Sequence, residues 1–148
     1  DVKVIHQTGL AEEAAVRARY GSVPRVDVRA FISDMGAIYA AADLIVCRAG
    51  ATTIAELAAQ GLPAIFVPYP HAADDHQRAN AEALVRGGAA RMVLDHLATG
   101  ARLAEEVREL VGTPGLLAEM RQRMRQFARP DAAERVLAVV DALVAGTK

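Results

Sequence analysis

The feature that most constrains this chain is a repeated order: a short apolar run, a turn of small or polar residues, then a stretch with helical spacing. Val2-Lys3-Val4-Ile5-His6 predicts a strand, and Gly9 separates it from a helix over residues 10–20. After a break at 21–24, Val26-Asp27-Val28-Arg29-Ala30-Phe31 alternates as a second strand, and Ser33-Asp34 predicts the cap of a short helix reaching residue 42. Leu44-Ile45-Val46-Cys47 is continuously apolar, the pattern of a strand buried on both faces. A turn at Arg48-Ala49-Gly50 leads to a helix over 53–60, which Gly61-Leu62-Pro63 breaks ahead of a strand at 64–67. A polar loop at 69–75 precedes a helix over 76–86, Gly87-Gly88 stop it, and residues 91–94 form the last strand. Three helical stretches, 101–111, 115–127 and 131–144, follow. Connections long enough for crossover helices predict an α/β domain with a doubly wound parallel sheet.

Composition supports one folded domain. At 148 residues, roughly 68–70% of the unfolded surface disappears on folding. The chain is 53% hydrophobic and 24% charged with a net charge of −1, which excludes intrinsic disorder and gives no electrostatic reason to bind nucleic acid or an anionic membrane. No apolar run approaches the ~20 residues of a spanning helix. The single cysteine, Cys47, forms no intramolecular disulfide, so a reducing compartment is expected. Without repeats or a linker, residues 1–148 read as a single domain.

Sites in such sheets form outside the carboxyl ends of the strands, so the loops after His6, Phe31, Cys47, Val67 and Leu94 are the ones to search. After Cys47, the run Arg48-Ala49-Gly50-Ala51-Thr52-Thr53-Ile54-Ala55-Glu56 enters a helix through small residues. Gly50 has no Cβ to block a ligand, and the first helix amides and macrodipole favour an anion such as phosphate. The same residues also fit a capping box, with Glu56 closing back on the Thr53 amide, and the two readings stand side by side. Arg48, a cation at the end of a buried strand, needs a partner. After Phe31, Ser33 and Asp34 read as a plain N-cap, although main chain at such a strand end is able to read a base edge.

In the loop before residue 76, His71, Asp74, Asp75 and His76 have ligand types for a divalent ion, but their spacing matches no compact zinc motif and no metal is expected. Asp74 or Asp75 is expected to cap the following helix. His76 and Asn80 share a helix face with Gln77 ~100° around, and these neutral donors and acceptors suit sugar hydroxyls. His6 reads as a satisfied strand residue, His96 as a surface loop residue, and Cys47 as a small buried hydrophobe. Arg121, Arg123, Arg125 and Arg129 read as a solvated helix face. No Ser-His-Asp order, GxSxG elbow, P-loop or GxGxxG is present.

Several blocks carry a resemblance. They are Phe31-Ile32-Ser33-Asp34-Met35, Ala42-Asp43-Leu44-Ile45-Val46-Cys47-Arg48-Ala49-Gly50-Ala51-Thr52-Thr53-Ile54-Ala55-Glu56, and Gly61-Leu62-Pro63-Ala64-Ile65-Phe66-Val67-Pro68. Asp75-His76-Gln77-Arg78-Ala79-Asn80-Ala81 and Pro130-Asp131-Ala132-Ala133-Glu134-Arg135 continue them. Together the chain resembles the MurG family over essentially its whole length. The family transfers N-acetylglucosamine from UDP-GlcNAc to the C4 hydroxyl of the lipid-linked muramyl sugar, turning lipid I into lipid II in peptidoglycan synthesis.

The resemblance implies a GT-B glycosyltransferase with two Rossmann-like domains, of which this chain is most of the carboxyl-terminal, donor-holding one. It implies that the backbone at Ile32 meets uracil and that Ala51, Thr52 and Thr53 sit beside the nucleotide and its diphosphate. Arg48, Gly50, Ile54 and Ala55 share that donor site, and Glu56 takes the ribose hydroxyls. Gln77, with His76 and Asn80 beside it, is implied to meet the GlcNAc hydroxyls. His76 departs from the family pattern, since a second glutamine occupies that place in some relatives.

The implied mechanism is inverting and needs neither metal nor cofactor. The base, the lipid I acceptor site and the patch that docks on the cytoplasmic face of the inner membrane belong to the amino-terminal domain, so no catalytic residue is expected in this half. The isolated piece is therefore expected to be inactive. The resemblance further implies that a central strand, with its glycine-rich loop, precedes residue 1. Either the strands at 2–6 and 43–47 pair directly, or the missing strand comes from outside this chain. Two other functions fit the same residues: a donor-binding subunit that needs a separate membrane partner, similar to the small subunit of the eukaryotic GlcNAc transferase, and a non-catalytic nucleotide-sugar-binding module.

Overall fold

A computed structural model describes residues 2–72 and 75–146. They fall into two compact units that divide between Ile38 and Tyr39.

In the first unit, β1 (Val4–Gln7) runs parallel to β2 (Val26–Arg29), in a register from Val4 opposite Val26 to Gln7 opposite Arg29. The crossover is α1 (Glu13–Tyr20). Val28 is buried on β2, and the Arg17 guanidinium donates to its carbonyl oxygen at 2.6 Å. His6 bonds the Tyr20 hydroxyl through Nδ1 at 3.1 Å, so the strand histidine is satisfied as expected. The helix α2 (Met35–Ala41) follows β2 and carries the chain into the second unit.

The second unit is built on a parallel sheet ordered β3 (Ile45–Cys47), β4 (Ala64–Phe66), β5 (Ala90–Met92). The crossovers are α3 (Ala51–Gln60) and α4 (His76–Arg86). The middle strand is the core: every residue from 61 to 68 is buried, because β4 has a partner on each edge. Ile65 packs with Val93, Leu110 and Met120, which brings α5 (Gly100–Gly112) and α6 (Leu116–Arg125) onto the sheet. The turn after α3 requires glycine: Gly61 has φ +65 and donates to Ala58 O, while Leu62 N reaches back to Leu57 O, the bond pattern that ends helices in a left-handed residue. The helix α7 (Ala132–Ala145) has no buried residue.

The element order matches the sequence reading; four details do not. The strands form two sheets rather than one: β1 pairs with β2, β3 pairs with β4, and of the two alternatives for the strands at 2–6 and 43–47 the direct pairing is the one not made. The strand β3 is not buried on both faces: Val46 is 43% exposed and Ile45 and Cys47 are half-buried. The helix α3 begins at Ala51, two residues earlier than Thr53. Finally, the α6 arginines are more than a solvated face. Arg121 donates to Ala42 O, and the side chains of Arg125 and Arg123 lie against Gly61 and Gly88, closing over the ends of α3 and α4. Among the described residues no helix is long and apolar enough to cross a membrane.

Candidate functional site: the turn between β3 and α3

The β3–α3 turn leaves its helix open at the amino end. Gly50 is the N-cap, with extended backbone (φ −67, ψ 145) and no capping side chain. Ile54 N is the first amide returned into the helix, to Gly50 O at 2.9 Å. The amides of Ala51, Thr52 and Thr53 therefore have no acceptor within α3. The capping-box alternative does not form: Gly50 rather than Thr53 is the N-cap, and no side chain caps the helix. Three donors at the positive end of a helix dipole are what an anion binds.

Residues distant in sequence hold this turn. Gln77, the second residue of α4, accepts through Oε1 from Ala49 N at 3.2 Å and from Tyr69 N at 3.0 Å. That assigns the amide orientation and leaves Nε2 as a donor. Asn80, one turn further on, donates from Nδ2 to Ala49 O at 3.4 Å. Ala49 is fully buried, so both of its polar groups are paired as burial requires. Asn80, expected to meet a sugar, also serves the backbone of the turn through Nδ2. His76 stands exposed at the start of α4.

Arg48 has the partner its position called for. Its Nη1 donates to Asp95 Oδ1 at 2.6 Å and to the carbonyl oxygens of Val67 and Pro68 at 3.1 and 3.2 Å. Its guanidinium carbon lies 5.6 Å from the centre of the Tyr69 ring, which meets His71 edge-on. One side chain so ties the carboxyl ends of β3, β4 and β5. Sequence reasoning missed Tyr69 and Asp95. The available signal was that both stand directly after strands, in line with Arg48.

The remaining predicted residues are placed as follows. In the first unit, Ile32 is buried and its N–H donates to Gln7 Oε1 at 2.9 Å. Asp34 caps α2 as expected, accepting from Ala37 N at 2.9 Å. On α3, Thr52, Ala55 and Glu56 are exposed, and Thr53 and Ile54 are half-buried. The phenol of Tyr39 is held above its ordinary pKa by burial first and then by the Glu56 carboxylate near it. Burial pushes the Cys47 thiol up to about 12, which suits an inert hydrophobe.

Asp75 makes no capping bond to α4. It is the N-cap residue, but its left-handed backbone (φ 52) corrects the expected cap. Asp74 lies outside the described residues, and with it the four-residue metal set. Among the described residues no three His, Cys, Asp or Glu side chains gather to hold a metal ion. A cavity of about 530 Å³ opens after β5, lined by Met92, Val93, Leu94, Leu97, Thr99 and Arg102 among others, and contains no predicted ligand residue. Its one fixed cation, Arg102, is already matched by Glu105 and by the buried Glu106.

Parallel strands, crossover helices and an open helix N-terminus at the strand ends define a Rossmann-like domain. The chain belongs to the family of the glycosyltransferase family 28 C-terminal domain, whose model matches residues 1–136. It is 49% identical over 140 residues to the UDP-N-acetylglucosamine--N-acetylmuramyl-(pentapeptide) pyrophosphoryl-undecaprenol N-acetylglucosamine transferase of Geobacter sp. (strain M21), covering 94% of this chain and 38% of that protein. The Geobacter sulfurreducens enzyme of the same name is 45% identical, with 99% and 40% covered. In solved structures, Acinetobacter baumannii MurG superposes with a TM-score of 0.86 at 37% identity, over 95% of this chain and 43% of that one. The chain thus spans about two-fifths of the length of these curated relatives.

Proposed function

We propose that this chain is the donor-binding part of an inverting hexosyltransferase that moves GlcNAc from UDP-GlcNAc to the C4 hydroxyl of undecaprenyl-pyrophosphoryl-MurNAc-pentapeptide, the lipid I to lipid II step of peptidoglycan synthesis. The observation that carries the reading is the open amino end of α3, directly after β3, with its turn held from α4 by Gln77 and Asn80. The names of the relatives support the sugar nucleotide and the acceptor.

In this reading the diphosphate lies on the amides of Ala51, Thr52 and Thr53. The C4 oxygen of the acceptor attacks the anomeric carbon as a base takes its proton, the bond from that carbon to the phosphate oxygen breaks, and UDP leaves with the electron pair. Charge grows on the departing phosphate, and the fixed amides and helix dipole stabilise it without reorganising. Glu56 accepts from the two ribose hydroxyls, Gln77 donates from Nε2 to the sugar, and His76 lies beside it. Separately, in the first unit, the main chain of Ile32 reads uracil; its N–H is already taken by Gln7, which leaves the carbonyl. The base, the lipid I site and attachment at the cytoplasmic face of the inner membrane belong to the part of the relatives that this chain does not match.

Calorimetry with UDP-GlcNAc, UDP and ADP tests the reading. Binding of the first two but not ADP is expected. An equal response to all three, or none, overturns it.

A further inference from the structure

We propose that Asp95 is a positioning residue for sugar recognition, acting on Gln77 through Arg48 and the backbone of residues 67–69. The inference rests on the reading that Gln77 Nε2 meets the donor sugar. Asp95 follows β5 in a short turn held by Leu97 N to Leu94 O and Ala98 N to Asp95 O. Its carboxylate makes the charged bond to Arg48 Nη1, and the same nitrogen serves the carbonyls of Val67 and Pro68. Residue 68 is proline and has no N–H, so Tyr69 N is the first amide donor after this pair of bonded carbonyls. That donor goes to Gln77 Oε1.

Three contacts in sequence, Asp95 to Arg48, Arg48 to the carbonyls of Val67 and Pro68, and Tyr69 N to Gln77, therefore link Asp95 to the orientation of one side-chain amide. The second Gln77 bond, from Ala49 N, belongs to the residue next to Arg48. Both amides that fix Gln77 are thus set by segments Arg48 ties down. Loosening Arg48 leaves Gln77 free to turn its amide over, presenting an acceptor where the site holds a donor. The diphosphate amides of α3 lose less, since Ile54 N to Gly50 O and the Asn80 bond to Ala49 O still hold that turn when Gln77 is loosened. The sugar therefore feels the change more than the nucleotide.

The test titrates UDP-GlcNAc and UDP into the full chain carrying Asp95→Ala, Asp95→Glu or Gln77→Glu, with a melting curve for each variant. Asp95→Ala is expected to weaken UDP-GlcNAc about three- to tenfold, the scale of one neutral hydrogen bond from Gln77 to the sugar, with UDP changed less than twofold. Asp95→Glu is expected to recover most of the loss. Gln77→Glu keeps the acceptor for both backbone amides and removes the donor, so it is expected to weaken UDP-GlcNAc about tenfold more than UDP, whose own smaller loss comes from the added negative charge beside the diphosphate. If Asp95→Ala fails to fold, the isosteric Asp95→Asn carries the comparison. Equal weakening of both ligands, or none, by the Asp95 variants overturns the proposal while leaving Gln77 as a sugar contact. An unchanged UDP-GlcNAc to UDP ratio in Gln77→Glu instead overturns the sugar reading of Gln77, and this inference with it.

Discussion

Two of the turns that take a parallel strand into a helix, β2–α2 and β3–α3, are held in opposite ways. Between β2 and α2 the turn is closed by its own residue: Asp34 accepts from Ala37 N, three residues on. Between β3 and α3 no local side chain caps the helix, and the bonds that hold the turn come from Gln77 and Asn80 on another element. Lack of a cap is not itself distinctive, since α1, α4, α6 and α7 also have none. The difference lies in what is fixed. A local cap occupies a helix amide, whereas the remote bonds fix buried Ala49 and leave the first α3 amides open. The first arrangement closes a helix end; the second leaves one open, as the proposed diphosphate site requires.

The largest effect that tests this contrast is on stability. Gln77→Ala removes the acceptor of two backbone amides, one of them on fully buried Ala49. It is expected to lower the unfolding free energy by about 2–3 kcal/mol in urea denaturation. A loss below ~0.5 kcal/mol, within the range of ordinary surface changes, would mean that Gln77 does not hold the turn.

Next comes Cys47, which ends β3 in front of the same turn. Its folded pKa is raised to about 12 from an ordinary 9.0, so the unfolded chain gives up the thiol proton first. The stability from keeping it neutral is complete below pH 9 and is lost as pH rises towards 12. The slope is about 1.4 kcal/mol per pH unit, or about 2 kcal/mol by pH 10.5. Comparing urea melts at pH 8 and 10.5 with those of Cys47→Ala isolates the contribution. Equal losses in both proteins would show that the thiol titrates normally.

The strand and helix order was legible because it depends on local periodicity, and every helix expected from spacing is present. The start of α3 was misread for a physical reason. Thr53-Ile54-Ala55-Glu56 has the residue types of a capping box, but Gly50 adopts the extended cap conformation first and moves the cap three residues ahead of Thr53. The exposure of Val46 was hidden because an apolar run does not reveal how many neighbours a strand finds. The demand for a partner to Arg48 was visible in its position. Its identity, Asp95, lies 47 residues away, and strand order rather than sequence distance brings the two together. Gln77 stood out as a donor for a ligand, yet its role for Ala49 and Tyr69 depends on the same long-range packing.

The locally closed turn supplies the next comparison. Asp34→Ala is expected to reduce stability by about 1 kcal/mol, the typical value of an N-cap, and to leave UDP affinity unchanged. Calorimetry and denaturation on the same variant check both parts. A fall in UDP affinity beyond the loss of folded protein would show that the Asp34 cap also holds the main chain of Ile32 in place for uracil.

Gly50→Ala has the smallest expected effect on folding and separates the two turns most cleanly. A Cβ built on Gly50 finds Thr53 Oγ1 at 3.8 Å, ordinary contact, and φ of −67 suits any residue. Nothing in the folded turn requires glycine, so stability should stay within about 0.5 kcal/mol or rise slightly as the unfolded chain loses freedom. A ligand phosphate on the amides of residues 51–53 approaches the backbone where that methyl would project, so UDP affinity is expected to fall several-fold while the melting curve does not move. If UDP binds Gly50→Ala as well as the parent, the anion does not approach at the cap. The amides of Thr52 and Thr53, further along the turn, would then be the ones that meet it.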